Sequence, residues 1–297
     1  MTSTILIDAS SAPESGPPRS VRQTPAPTSG HTFGGVFRSE RIKFTSLRSI
    51  RLTLLITVVC GLAMSTLIAA LWSGEMNAGG MGDMFGPGDA GLQGYLLFAA
   101  TMSAPFLALV FGVLGVFAIS SEYSSGMILS TLTAVPKRGP VYLAKAVLLA
   151  VVSGLTAAAL VLGGLGIAVL FYPPSAAALG AGVVISGALG TIAYLVLISL
   201  FAFGIAALLR STAGGVAVVA GVTFVLPIVF QVLSITNWDW VGVAMSYLPT
   251  PLGSTLASGL TEVAAGPSYW GALIAMLVWA AVTVVPAAIL FQRRDAR

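Results

Sequence analysis

ISSEYSSGMILSTLTAVPKRGP, Ile119 to Pro140, lies between two long apolar segments and holds, with Lys145 just beyond, the only charges in the middle of the chain: Glu122, Lys137 and Arg138. Apolar segments fix a chain in lipid; a stretch of this kind is what a soluble partner can grip. Ile128, Leu132 and Val135 fall at i, i+4 and i+7, with Met127 and Thr131 beside them, which is one face of a short helix. Ser124 or Ser125 can cap its start and Pro136 stops it. Gly126 in the first turn weakens such a helix by roughly 1 kcal/mol relative to Ala, so a partner would have to complete it. On hydropathy alone the same stretch reads first as a basic loop that orients its neighbouring spans.

The composition around it leaves one class of protein. Of 297 residues, 57% are hydrophobic and 8% charged, and the mean hydropathy is +0.97. A soluble domain carries about 25% charged residues, so the chain reads as an all-α integral membrane protein. Its one cysteine, Cys60, sits in an apolar run, which excludes an intrachain disulfide and a thiolate metal cluster. Its one histidine, His31, lies in the N-terminal tail, away from any span. The net charge of +4 is spread over short segments without a nucleic-acid motif, and points to anionic lipid rather than nucleic acid.

Six runs reach the length of about 20 apolar residues that crosses a bilayer. They lie near Leu52–Trp72, Tyr95–Ile119, Ala146–Tyr172, Val183–Leu209, Gly215–Ile235 and Tyr269–Phe291. The connecting segments alternate in charge. Residues 31–51 and 120–145, Arg210 and the C-terminal Arg293, Arg294 and Arg297 are basic, whereas residues 73–94 and 236–268 carry acidic groups only. All 14 Lys and Arg therefore fall on one side, which predicts both termini in the cytoplasm. Trp72, Tyr95, Phe171, Tyr172, Trp238, Trp240, Tyr269 and Trp270 fall where this topology puts the outer interface. Pro105, Pro227 and Pro286 predict kinks in spans two, five and six. Ala178, Gly182, Ser186 and Gly190 make a small-residue stripe along span four, a candidate helix interface. Residues 236–268 hold apolar clusters too short to span and predict short interfacial or re-entrant helices.

The domain reading is a Pro/Ser-rich, disordered cytoplasmic tail over 1–31 followed by one six-span unit over 32–297. The tail is not read as a secretory signal, because the first long apolar run begins only near Leu52. Phe33 to Ser49 reads as an amphipathic helix in the cytoplasmic interface. Phe33, Val36, Phe37, Phe44 and Leu47 share an arc of about 100°, with Arg38, Arg41 and Arg48 on one flank and Lys43 on the other. Two residues break the pattern: Glu40 falls inside the apolar arc, within reach of Lys43, and Ile42 falls outside it.

The rest of the chain carries no recognisable reaction chemistry. No G-x-x-x-x-G-K-[ST], H-E-x-x-H or G-x-S-x-G occurs, so this chain binds no ATP by a P-loop and shows no hydrolase signature. Gly86-Pro87-Gly88-Asp89 resembles the GxGD of intramembrane aspartyl proteases, but no span carries the aspartates that chemistry needs at membrane depth. No span holds an ionisable side chain in its middle, which argues against an ion-coupled carrier. Met76, Met81 and Met84 sit in a glycine-rich outer loop and read as incidental rather than as a Cu(I) site; no metal ligand set is expected.

Six spans with both ends inside, the basic helix SERIKFTSLRS at Ser39 to Ser49, and Ser121-Glu122-Tyr123 with Gly126, Pro136, Arg138 and Lys145 after span two resemble a bacterial ABC-2 type permease. The resemblance implies a non-enzymatic transport subunit in the bacterial plasma membrane, working as an exporter with a second permease copy. It implies a coupling helix docked on a separate ATPase subunit that holds the ATP and Mg, with no cofactor on this chain. The coupling residues would be Glu122, Tyr123, Gly126, Ile128, Leu132 and Val135; the interfacial helix would present Phe37, Arg38, Glu40, Arg41, Lys43 and Phe44. The proline-rich tail departs from the family pattern and inherits no role. An ion-coupled secondary carrier and a non-transporting membrane anchor or sensor are the alternatives from other classes.

Overall fold

A helix that is apolar all round belongs in the interior of its bundle. The fourth span, GVVISGALGTIAYLVLISLFAFGIAALL, is such a helix and forms the axis of the computed structural model, which describes residues 33–46, 48–78, 86–124, 138–261 and 266–293. The helices in chain order are α1 Phe33–Ser46, α2 Arg48–Ala78, α3 Asp89–Thr101, α4 Ala104–Ser124, α5 Arg138–Phe171, α6 Gly182–Leu209, α7 Thr212–Ala220, α8 Leu226–Leu233, α9 Asp239–Ser246, α10 Pro249–Ala257 and α11 Tyr269–Arg293. Six segments are long and apolar enough to cross a membrane: Ile50–Met76, Asp89–Ser121, Gly139–Phe171, Gly182–Leu209, Thr212–Thr236 and Tyr269–Gln292. Each overlaps one of the six predicted from hydropathy, with span two starting at Asp89 rather than Tyr95 and span three at Gly139 rather than Ala146.

Span four, α6, packs against α4, α5, α10 and α11, and 61% of its apolar window is buried against 11% for span five. Close approach rather than bulk makes these contacts. A Cβ at Gly115 of α4 would collide with the carbonyl of Ser199 on α6, and one at Gly204 of α6 would collide with Thr283 of α11. The Thr283 hydroxyl has two backbone acceptors in range, Phe201 O across the interface at 3.1 Å and its own Ala280 O at 3.0 Å. At the C-terminal end of α6 the chain reverses in two residues. Arg210 takes the left-handed conformation (φ 51°), and the Ser211 side chain caps α7 by accepting from Gly214 N at 3.1 Å.

Two of the three prolines go with a departure from regular helix. Span two breaks at Met102–Ser103, so α3 and α4 are separate pieces with Pro105 in the first turn of α4. In span five a π turn, Gly221–Val225, precedes Pro227. Span six runs through Pro286 as one helix.

Residues 236–268 contain a re-entrant hairpin, α9 and α10. Its tip reaches the middle of the neighbouring spans: Trp279 Nε1 donates to Tyr247 O at 3.0 Å and Thr250 Oγ1 to Thr223 O at 2.7 Å. Trp279 lies ten residues into α11, about 15 Å along its axis at 1.5 Å per residue. Beyond α10 the chain is back at the outer end of α6, where Leu260 N donates to Ser186 Oγ at 2.9 Å. Pro227 has no N–H for the carbonyl of Thr223 four residues earlier. The Thr250 hydroxyl of the hairpin supplies that bond instead.

Three sequence expectations are corrected here. Ala178 lies in a short 3₁₀ turn, Pro173–Ala178, outside α6. Two of the other stripe residues are occupied within the chain, whereas Gly182 is open: Tyr269 Oη donates to Ser186 O at 3.0 Å, and Gly190 backs onto the Leu256 carbonyl of α10. Tyr95 and Tyr269 are buried rather than set in a headgroup layer, because burial gives their hydroxyls backbone acceptors. Tyr95 Oη donates to Ala168 O at 3.1 Å, with Ala69 O at 3.4 Å, and so ties spans one, two and three. Trp238, Trp240 and Trp270 are exposed at that end of the bundle, as interface aromatics should be.

Candidate functional site

The site lies where α1 meets the start of span three. Phe37 packs on Val141 and Ala144 of α5, and Phe44, only 8% exposed, belongs to the main core. Between these two rings lies Glu40, 4% exposed. Lys145 Nζ donates to Glu40 Oε2 at 2.5 Å and Lys43 Nζ to Oε1 at 3.1 Å. Phe37 and Phe44 of the apolar arc are thus protein contacts. Glu40 sits inside that arc because it meets a buried cation there, and a lone carboxylate facing lipid would be strongly disfavoured. Ile42, outside the arc, is exposed, and so are Arg38 and Arg41.

Lys145 corrects the sequence reading. As a cation it marks the end of a basic loop and puts the start of span three at Ala146. The helix instead begins at Arg138 and the span at Gly139, and Lys145 is 6% exposed two turns inside. Glu40 makes this position tolerable, since a buried cation without a counter-charge is costly.

The same turns of α5 hold two more elements. Tyr142 Oη donates to Val284 O of α11 at 3.0 Å. Its ring lies 5.0 Å from that of Phe203 on α6 and 5.5 Å from that of Phe291 on α11. Val141 to Lys145 therefore joins α1, α6 and α11 at the start of α5. The sequence gives only a hint of Tyr142, an aromatic between two cations at a span boundary, because its acceptor lies 142 residues away.

Of the predicted coupling residues, Glu122 and Tyr123 belong to the last turn of α4. Gly126, Ile128, Leu132 and Val135 lie outside the described residues. The structure brings Phe37, Glu40, Lys43 and Phe44 together with the start of α5. Among the described residues no three His, Cys, Asp or Glu side chains gather as a metal site. The chain matches no model of a known protein family and no curated protein sequence.

Proposed function

We propose that this chain is the membrane subunit of an ATP-driven exporter of the ABC-2 type. It would form the translocation path with a second permease copy and take its energy from a separate ATPase through residues 120–140. One observation supports the reading most: the residues next to that segment, Val141 to Lys145, grip α1, α6 and α11 at once. A push on the segment from a soluble partner would act on three elements rather than one. The middles of the spans offer no ionisable side chain for ion coupling, which agrees with energy supplied from outside the chain.

The test uses Leu132→Asp, which places a charge on the apolar face Ile128, Leu132 and Val135 that would enter the ATPase groove. Loss of a buried hot-spot contact costs on the order of 2–5 kcal/mol. The variant is expected in the membrane at normal level, with ATPase recovery in a detergent pull-down and vesicle transport lost together. Equal ATPase recovery with transport intact would refute the proposal.

A further inference from the structure

We propose that an exposed face of α2 binds anionic phospholipid through Arg48 and Arg51. Read from sequence, lipid contact belongs to the apolar arc of α1, but Phe37 and Phe44 of that arc are turned into the protein. Span one offers a different surface. Arg48 and Arg51 lie one turn apart on α2, and both are exposed. At 100° per residue they share an arc of about 100° with Leu52, Leu55 and Val59. Those three side chains are more than half exposed. The opposite side of the same turns is engaged: Ile50 belongs to the main core, and Leu54 and Val58 pack against it. The exposed arc therefore reads, from the end of the span toward its middle, as two cations and then an apolar strip. The span begins at Ile50, which sets the guanidinium groups at the level of a headgroup layer and the strip at the level of acyl chains.

A guanidinium holds a phosphate through two parallel N–H···O bonds, and its aliphatic stem lies along apolar surface. One phospholipid answers both halves of the arc, with its phosphate on the arginines and an acyl chain on the strip. Charge then selects among phospholipids. Neither arginine meets a carboxylate among the described residues. Glu40, in the preceding helix, is engaged by Lys145 and Lys43. Glu75 lies near the far end of α2, about 36 Å from Arg51 along the axis. A zwitterionic headgroup brings its own ammonium, which the arginines repel. A phosphodiester without one keeps the full attraction. A soluble acidic segment would satisfy the arginines but leave the apolar strip without a partner. The inference does not rest on the transport reading, since it concerns this chain and the bilayer alone.

The test reads which lipid sits on the strip. Full-length protein with Val59→Cys and Cys60→Ala carries a bimane fluorophore there, about 12 Å from Arg51 along the helix. It is placed in phosphatidylcholine nanodiscs containing a fixed fraction of a quencher lipid with a nitroxide at mid-chain. The quencher lipid is either phosphatidylglycerol or phosphatidylcholine. Phosphatidylglycerol should quench more, its relative binding constant favoured about fivefold for each arginine. Arg48→Gln and Arg51→Gln should each lower that preference about fivefold, and the double variant should bring it close to equality. Two arms need no arginine substitution and decide the matter if the variants melt lower than the parent. In 1 M sodium chloride, where the Debye length is about 3 Å, the preference should shrink. A bimane on Val229→Cys with Cys60→Ala, exposed on span five toward the end away from Arg210, should show none. Equal quenching by the two lipids at position 59 would overturn the site, and so would equal preference at positions 59 and 229. A preference kept by the double variant would also overturn it, because the charge would then come from elsewhere, such as Arg38 and Arg41 of α1.

Discussion

Glu40 shows how one side chain decides what a helix face is for. On a helical wheel it spoils an apolar arc; in the fold it is the reason the arc has a partner. The two carboxylate oxygens answer different lysines, Lys145 in the interior and Lys43, about a third exposed, near the surface. Removing Glu40 takes away the carboxylate that buried Lys145 meets in the interior, and breaking such a pair typically costs about 3–5 kcal/mol. Lys43→Ala removes a partly exposed partner, worth about 0–1 kcal/mol. Thermal melts in detergent are therefore expected to rank Glu40→Ala far below Lys43→Ala. The double variant Glu40→Met with Lys145→Met should recover most of the loss, because it leaves no uncompensated charge. A double variant as unstable as Glu40→Ala would show that α1 is held by something other than this pair. The sequence carried half of this. Lys43, three residues on, was legible from helix geometry; Lys145, 105 residues away, was not. Sequence charge counting put that lysine in a loop, because burial of a cation is visible only once its partner is known.

At the scale of elements, helices made irregular by proline are held by their neighbours. Hydropathy and length located every span, and Pro105 and Pro227 located two of the irregularities. What they could not give is where the freed backbone groups go, since that depends on a hairpin distant in sequence. Thr250 is the case in point. Thr250→Val keeps the shape and removes the proton that Thr223 O accepts, a loss of about 1–3 kcal/mol for a buried acceptor. Hydrogen exchange should quicken in Gly221–Val225 and in Pro249–Ala257 together. Ser246→Ala, where an exposed hydroxyl bonds only Val243 O of its own helix, should leave both segments unchanged. Exchange that quickened in one segment alone would mean the hairpin and span five are not fastened at this point.

For the whole molecule, the charge alternation sets an orientation that labelling can check. That orientation would put Ala177, exposed after span three, on the outer side, and Ala213, exposed at the start of span five, on the inner side. With Cys60 replaced by Ala, a cysteine at position 177 should react with a membrane-impermeant maleimide in sealed cells. One at 213 should react only after permeabilisation. The reverse pattern would invert the topology. Ser175 is unsuited to this assay, because it is fully buried. The re-entrant hairpin bears on how such a chain is made. Its tip is secured by Trp279 of the last span, so it has no complete seat while the ribosome is still synthesising residues 249 to 279. Too short to cross the bilayer, it must wait outside the hydrocarbon with its backbone wetted, and enter only after span six has been released from the translocon. Its contacts with spans four and five are then among the last features of the molecule to form, and a chain stalled before Trp279 would lack them.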